Sequence, residues 1–310
     1  MSALSGAGAA VVRWFDSWAG DPADGAADPF RPDLVRVVPF ALLHLGCLLV
    51  IPAGWSLPAI AVAAGLYLVR MFAITAFYHR YFSHRAFEVS RPMRLLMALA
   101  GATAVQRGAL WWAAHHRRHH RHADREGDLH SPRLHGFWWA HAGWITSRAH
   151  FRTDVSLVPD LAKYPELRFL DRFDTLVPLL LAAGLFGLGE AWAALDPASG
   201  VTGLQMLAWG FFVSTVVLFH ATCTINSLAH RLGRRRFATA DDSRNSWILA
   251  LLTLGEGWHN NHHRYPGAAA QGFRWWELDL TLLGLRALEA VGLVRDLRPV
   301  PEALRREGAA

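Results

Sequence analysis

The chain is expected to fold as an all-α integral membrane protein, with four transmembrane helices in two hairpins and a helical cytoplasmic cap that holds a di-metal site. Three observations predict this. Of 310 residues, 53% are apolar and only 18% are charged, a balance that suits a bilayer better than water. Four long apolar runs alternate with segments into which the charges are crowded. Nine of the 17 histidines fall at ligand spacing just outside those runs.

Taken in order, residues 1–35 read as a cytoplasmic arm, without the basic stretch, short apolar core and cleavage site of a secretory leader. A span needs about 20 mostly apolar residues, and windows at about 36–55, 57–78, 175–195 and 204–225 qualify. The linkers within the two pairs, "AGWSLP" and "GEAWAALDPASGVTG", contain no Lys or Arg, whereas residues 79–172 carry fifteen. Because positive residues stay on the cytoplasmic side, both termini and the middle segment are placed there. A membrane domain over 36–292 thus has its cap at 79–174 and 226–292, followed by a polar tail at 293–310. A fifth apolar stretch, "MRLLMALAGATAVQRGALWWA", is broken by Arg94, Gln106 and Arg107 and reads as one interfacial or protein-buried helix. Arg70, inside the second span, is expected to pair near the substrate or to reach toward the cytoplasm, because an unpaired charge in hydrocarbon is costly.

The charges behind the net +6 lie almost entirely outside the spans and need no nucleic acid to explain them. Cys47 and Cys223 lie in apolar runs and read as small core residues rather than a disulfide. Arg-rich, Ala-rich usage with Lys163 as the sole lysine points to a bacterial inner membrane.

The histidines carry the chemistry. On a helix, positions i, i+3 and i+4 share a face, and His116/His119/His120 and His259/His262/His263 follow that rule. Asn226 and His230 lie four apart at the end of the fourth window. His79 and His84 are five apart, which on a continuous α-helix splays their rings by about 140°, so the helix should end or unwind there. Neutral imidazole suits Fe, Cu, Ni or Zn. One ion takes four to six ligands, so nine histidines suffice for two. The scarcity of cysteine excludes a thiolate zinc knot, and too few carboxylates lie near the boxes for the glutamate-rich di-iron sites of soluble bundles. Among the remaining histidines, His130 and His141 are expected to orient ligand rings through the far nitrogen, together with Asp124 and Asp128.

"HRYFSH", "HRRHH" and "GEGWHNNHH", in this order beyond the spans, resemble the three histidine boxes of membrane fatty acid desaturases, in particular the acyl-CoA (stearoyl-CoA delta-9) branch. "NSLAH", "GFWWAHAGW" and "DLAKYPELRFL" are similar to further family segments, over roughly residues 36–285. The resemblance implies two iron ions ligated by His79, His84, His116, His119, His120, His230, His259, His262 and His263, with Asn226 holding a metal-bound water. It also implies dioxygen as co-substrate and a long-chain acyl substrate, acyl-CoA desaturated at carbon 9 being the first expectation. Animal members carry an Arg-Asp pair where this chain has Ala114 and His115, and "AAAQG" stands where many relatives have Ser-Ala-Arg. A membrane lipid therefore remains open as the acyl carrier.

An unactivated methylene has no acidic proton, so side-chain acids and bases cannot start its oxidation and a redox cofactor must. A dry, narrow tunnel into the spans is then required, for which Tyr67, Phe72, Trp111 and Trp112 are candidate lining and Arg148 a candidate head-group contact. The chain has no CxxC pair, glycine-rich dinucleotide loop or HPGG stretch, so no bound haem, flavin or NAD is expected. A separate ferredoxin-like or cytochrome-like carrier with an NAD(P)H reductase is implied. The alternatives are a histidine-box hydroxylase of alkanes or lipids and, more distantly, a histidine-rich metal transporter, for which only Arg70, Glu190 and His220 offer polar groups within the spans.

Overall fold

The computed structural model describes residues 6–19 and 28–307; parts of the amino-terminal arm and the last three residues lie outside them. Among the described residues the fold is helical, with isolated β-bridges and no strand longer than a bridge. The helices that matter below are α1 (Gly6–Phe15), α2 (Leu34–Ala53), α3 (Leu57–Ser83), α4 (Arg91–Ala102), α5 (Ala109–His122) and α6 (Phe137–His141). They continue with α7 (Pro165–Arg172), α8 (Leu176–Leu195), α9 (Gly203–Ser227), α10 (Trp247–Leu252), α11 (His259–Arg264) and α12 (Leu280–Ala290).

Four of these, α2, α3, α8 and α9, are long and apolar enough to cross a bilayer, in the places the hydropathy predicts. Their starts are written in the sequence. The Ser56 hydroxyl accepts from the Ala59 amide with Pro58 in the first turn, and the Thr202 hydroxyl accepts from Gln205, satisfying amides that a helix start leaves unpaired. Packing is uneven. α9 packs against both α3 and α8, whereas α2 buries none of its residues. Where α2 meets α9, Gly46 makes the approach possible, since a Cβ there would lie 2.2 Å from the Phe212 ring.

Arg70, 1% exposed, does not reach the surface and pairs with no carboxylate among the described residues. Its guanidinium donates to Ser214 Oγ (2.6 Å), Thr215 Oγ1 (2.7 Å) and the carbonyls of Leu66 and Thr103 (3.2 and 3.3 Å). Hydroxyls and carbonyls meet the hydrogen-bonding demand that an isolated charge in an apolar interior makes.

The fifth apolar stretch is two helices rather than one. α4 stops at Ala102, and the chain turns through Val105 and Arg107, both at positive φ (59° and 71°), before α5 begins at Ala109. That turn lets α5 lie along the last part of α3, which places two histidine-bearing segments side by side. Beyond the spans, the segment after α12 folds back: Arg295 bridges to Glu88, and Val294 and Leu304 are buried. In the arm, the Trp14 indole donates to the Val35 carbonyl and the Ser17 hydroxyl to Asp174.

Candidate metal centre

The final eleven residues of α3, Ala73–Ser83, wind as a π-helix, all of them buried, and His84 caps the end. Hydrogen bonds in such a helix join residues five apart, so residues five apart approach register where an α-helix would splay them. The rings of His79 and His84 consequently lie 4.9 Å apart, centroid to centroid. The helix does end after His79, and a widened last coil precedes the end.

α5 and α11 each serve two groups. On an α-helix, residues four apart diverge by about 40° and neighbours by about 100°. His116 and His120 therefore point one way and His119 another; on α11, His262 is separated from His259 and His263. All nine histidines fall into two clusters, His79, His84, His116, His120 and His262 in one and His119, His230, His259 and His263 in the other, within each of which one ligand atom per residue lies within 4.8 Å of the rest.

In the first cluster the Nε2 atoms of His84 and His116 are 2.8 Å apart, those of His116 and His120 3.0 Å, His120 and His262 2.9 Å, and His262 and His79 3.1 Å. In the second, His230 and His259 Nε2 are 3.1 Å apart. A metal–imidazole bond of about 2.1 Å sets neighbouring ligands at right angles about 3.0 Å apart. A neutral ring has one N–H, and several rings direct Nδ1 at a carboxylate, leaving Nε2 as a lone pair. His230 Nδ1 is 2.7 Å from Asp124, His119 Nδ1 3.2 Å from Asp128, His263 Nδ1 3.0 Å from Asp241, and His79 Nδ1 sits against Glu256. His263 Nε2 is buried without a hydrogen-bond partner, as expected of an atom reserved for a cation. The donor set fits two imidazole-bound metal ions.

Electrostatics agree with that fit. Burial, reinforced by neighbouring imidazoles, holds His84, His116, His120, His259 and His262 well below the usual histidine range. For His263 burial outweighs the opposing Asp241 carboxylate and leaves it at about 4. Burial would also lower His119, but Asp128 overcomes it and raises the group. Asp124, Asp128 and Asp241 are held below the carboxylate range despite burial, chiefly by His230, His119 and His263 in turn.

Asp124 and Asp128 thus stand behind ligand-type rings, and Asp124 turns the chain at φ 56° directly after α5 to do so. His130 stacks on His119, centroids 4.5 Å apart, with its Nδ1 3.8 Å from Asp128. His141 sits elsewhere. Its ring nitrogens meet Ser227 Oγ (2.9 Å) and His220 Nδ1 (3.0 Å), and it reaches neither cluster. Asp241, Glu256 and Gln271, whose amide donates to Glu256 at 2.6 Å and lies 3.2 Å from His79 Nδ1, were not expected in these places. Glu256 lies three residues before His259 but outside α11, which starts at His259, and it reaches His79 instead, so no helical interval could have placed it. Asp241 lies in an irregular loop that no spacing rule reaches.

A cavity of about 910 Å³ leads from His116 of the first cluster into the spans. Its walls include Trp111, Trp112, His116 and Asn226 at one end and Leu49, Leu207 and Phe212 among the spans. Trp112 stacks on His116 with centroids 5.0 Å apart. Tyr67 and Phe72 are not among its walls; the Tyr67 hydroxyl donates to the Leu252 carbonyl at 2.6 Å, and Phe72 packs edge-on to Phe77. A second hollow of about 500 Å³ shares His115 with the first and is lined by Trp18, Arg118, Arg152 and Arg168. Arg148 is not part of either wall; its amide donates to the Arg31 carbonyl.

The profile of the fatty acid desaturase family matches residues 53–291. The chain is 38% identical over 84% of its length to the palmitoyl-monogalactosyldiacylglycerol delta-7 desaturase of Arabidopsis thaliana, covering 67% of that protein. It is 34% identical to the sn-1 stearoyl-lipid 9-desaturase of Anabaena variabilis, over 85% of this chain and 93% of that one. To the acyl-CoA 5-desaturase AL21 of Anemone leveillei it is also 34% identical, over 89% and 82%. The chain belongs to the fatty acid desaturase family, and it is an oxidoreductase that acts on fatty acyl chains with oxygen.

Proposed function

We propose that the protein introduces a cis double bond at carbon 9 of a long-chain acyl group. The ions would be two irons, held by His79, His84, His116, His120 and His262 on one side and by His119, His230, His259 and His263 on the other. When bound, such a pair supplies the activation of dioxygen that an unactivated methylene requires. The observation that carries this reading is the convergence of nine imidazoles in two clusters, one of which meets a long apolar cavity through His116.

The chain's own residues do the rest. From Asn226 to Leu207 the cavity follows α9 for about 28 Å at helical rise, a length suited to an extended acyl tail. Its apolar walls exclude water from the reacting carbons. Trp112, held flat against His116, is placed to fix the tail beside the cluster, and Asn226 to hold a water there. The arginines of the neighbouring hollow suit a phosphate-bearing carrier. Acyl-CoA meets that description, and so does a phospholipid; relatives named for stearoyl-lipid substrates favour a lipid carrier as a second reading. We place the spans as two hairpins in a bacterial inner membrane with the cap and termini in the cytoplasm, following the charge pattern. A separate ferredoxin-like or cytochrome-like protein supplies the electrons.

The test is expression of the full chain, and of His119→Ala, in a host with saturated lipids, followed by fatty-acid analysis with the double bond located and CoA and lipid pools separated. The expected product is two hydrogens lighter and unsaturated at carbon 9, and it is absent for a His119→Ala protein that still inserts. A product heavier by one oxygen would instead identify a hydroxylase, and full activity of His119→Ala would remove the cluster from the chemistry.

A further inference from the structure

The two clusters are backed by unlike surroundings. Behind His119, His230 and His263 stand three separate carboxylates, Asp128, Asp124 and Asp241, each within 3.2 Å of the ring's Nδ1. None of the three carboxylates is ion-paired to a guanidinium among the described residues. Asp124 is otherwise engaged by the Ser131 hydroxyl and the Asp242 amide, Asp128 by the amides of Asp124 and His130, and Asp241 by Ser243 and Thr239.

The five-histidine cluster differs. Its one carboxylate, Glu256 behind His79, shares Arg80 with Asp279, the guanidinium Nη2 lying 3.0 Å from Glu256 and 2.9 Å from Asp279. Among the described residues no carboxylate lies within 4 Å of the ring nitrogens of His84, His116, His120 or His262. The formal charge behind the four-histidine cluster is therefore −3, against −1 for Glu256, Asp279 and Arg80 together behind the other.

We propose that the two metal subsites are unequal. The four-histidine subsite backed by Asp124, Asp128 and Asp241 binds its ion more tightly, fills first and empties last, and the five-histidine subsite is the exchangeable one. The inference rests on the two-metal reading given above. A carboxylate accepting a ligand's Nδ1–H fixes the tautomer, turns Nε2 inward and makes the ring a stronger donor; losing one such partner typically costs about 10–100-fold in metal affinity. Three uncompensated partners outweigh the single extra neutral imidazole of the other cluster, and their net charge favours a divalent cation directly.

The full chain, purified in detergent and loaded anaerobically with Fe(II), is challenged with increasing EDTA while iron per chain is measured by elemental analysis. Two ions are expected to leave in two separate steps. Asp124→Asn and Asp241→Asn, which keep shape and lose charge, should each move the later step about 10–100-fold toward weaker binding and leave the earlier step in place; Glu256→Gln should move only the earlier one. Loss of both ions in one step from the unaltered protein overturns the inequality while leaving two metals standing. So does an Asp124→Asn or Asp241→Asn variant that moves only the earlier step. A protein that never binds two ions overturns the two-metal reading and this proposal with it.

Discussion

Six histidine rings, His84, His116, His120, His259, His262 and His263, are held below their ordinary range by burial among like neighbours. An unfolded chain takes up protons on these rings near pH 6.5, while the folded, metal-free chain resists until lower pH, about 4 for His263. Between those limits the unfolded state binds more protons, so stability rises with pH there. It is complete above about 6.5 and is lost as pH falls toward the folded values. His119, raised by Asp128, acts in the opposite sense, but it is one ring against six. The metal-free protein in detergent should therefore show a melting temperature that drops steadily from pH 7 to pH 4. A flat or rising profile over that window would mean that the rings are not held neutral. At this scale the sequence was legible wherever a helix set the interval: all nine box histidines lie in the two clusters. It was illegible for Asp241, whose approach to His263 depends on how an irregular loop closes, and misleading for His141, which looked like a partner of the centre and lies against Ser227 and His220.

At the level of the helix, the decisive feature is the wide coil from Ala73 to Ser83. Its outer face is locked by α4, where Gly101 lies so close that a Cβ would sit 2.0 Å from the Tyr78 ring. Tyr78 precedes His79, so a methyl group at that contact is transmitted to the first ligand-type ring. Gly101→Ala is expected to destabilise the fold by about 1–3 kcal/mol through overpacking and to weaken iron retention, read by thermal unfolding and metal content. An unchanged melting temperature would show that Tyr78 yields freely. A π-type coil cannot be read from hydrophobic periodicity, because a single apolar run is compatible with either winding. The five-residue interval between His79 and His84 was the sole hint, and it foretold a break in the helix without the widening. The split of "MRLLMALAGATAVQRGALWWA" was hidden for a related reason: nothing in an apolar run announces that Val105 and Arg107 adopt positive φ.

For the molecule as a whole, the four apolar helices were plain in the sequence, because about 20 consecutive apolar residues have few other uses. The cavity was not. Its walls combine residues from the arm, three of the four spans and α5, a juxtaposition made only by the tertiary fold, and only Trp111 and Trp112 of the four aromatic candidates belong to it. Leu207 marks the end of the cavity remote from the histidines along α9. Leu207→Trp should block that end and shift products toward shorter acyl chains, with total turnover on short substrates retained; gas chromatography of the product fatty acids is the measurement, and an unchanged chain-length distribution would show that tails do not reach so far. One of those walls has a peculiar standing. α2 contributes Leu42, Leu43 and Leu49 to it yet keeps none of its own residues buried. Lipid is thus the outer backing of the compartment, and a solubilising surfactant that strips it will slacken the chamber while the carboxylate-braced imidazole cage, built from buried and half-buried rings, still stands.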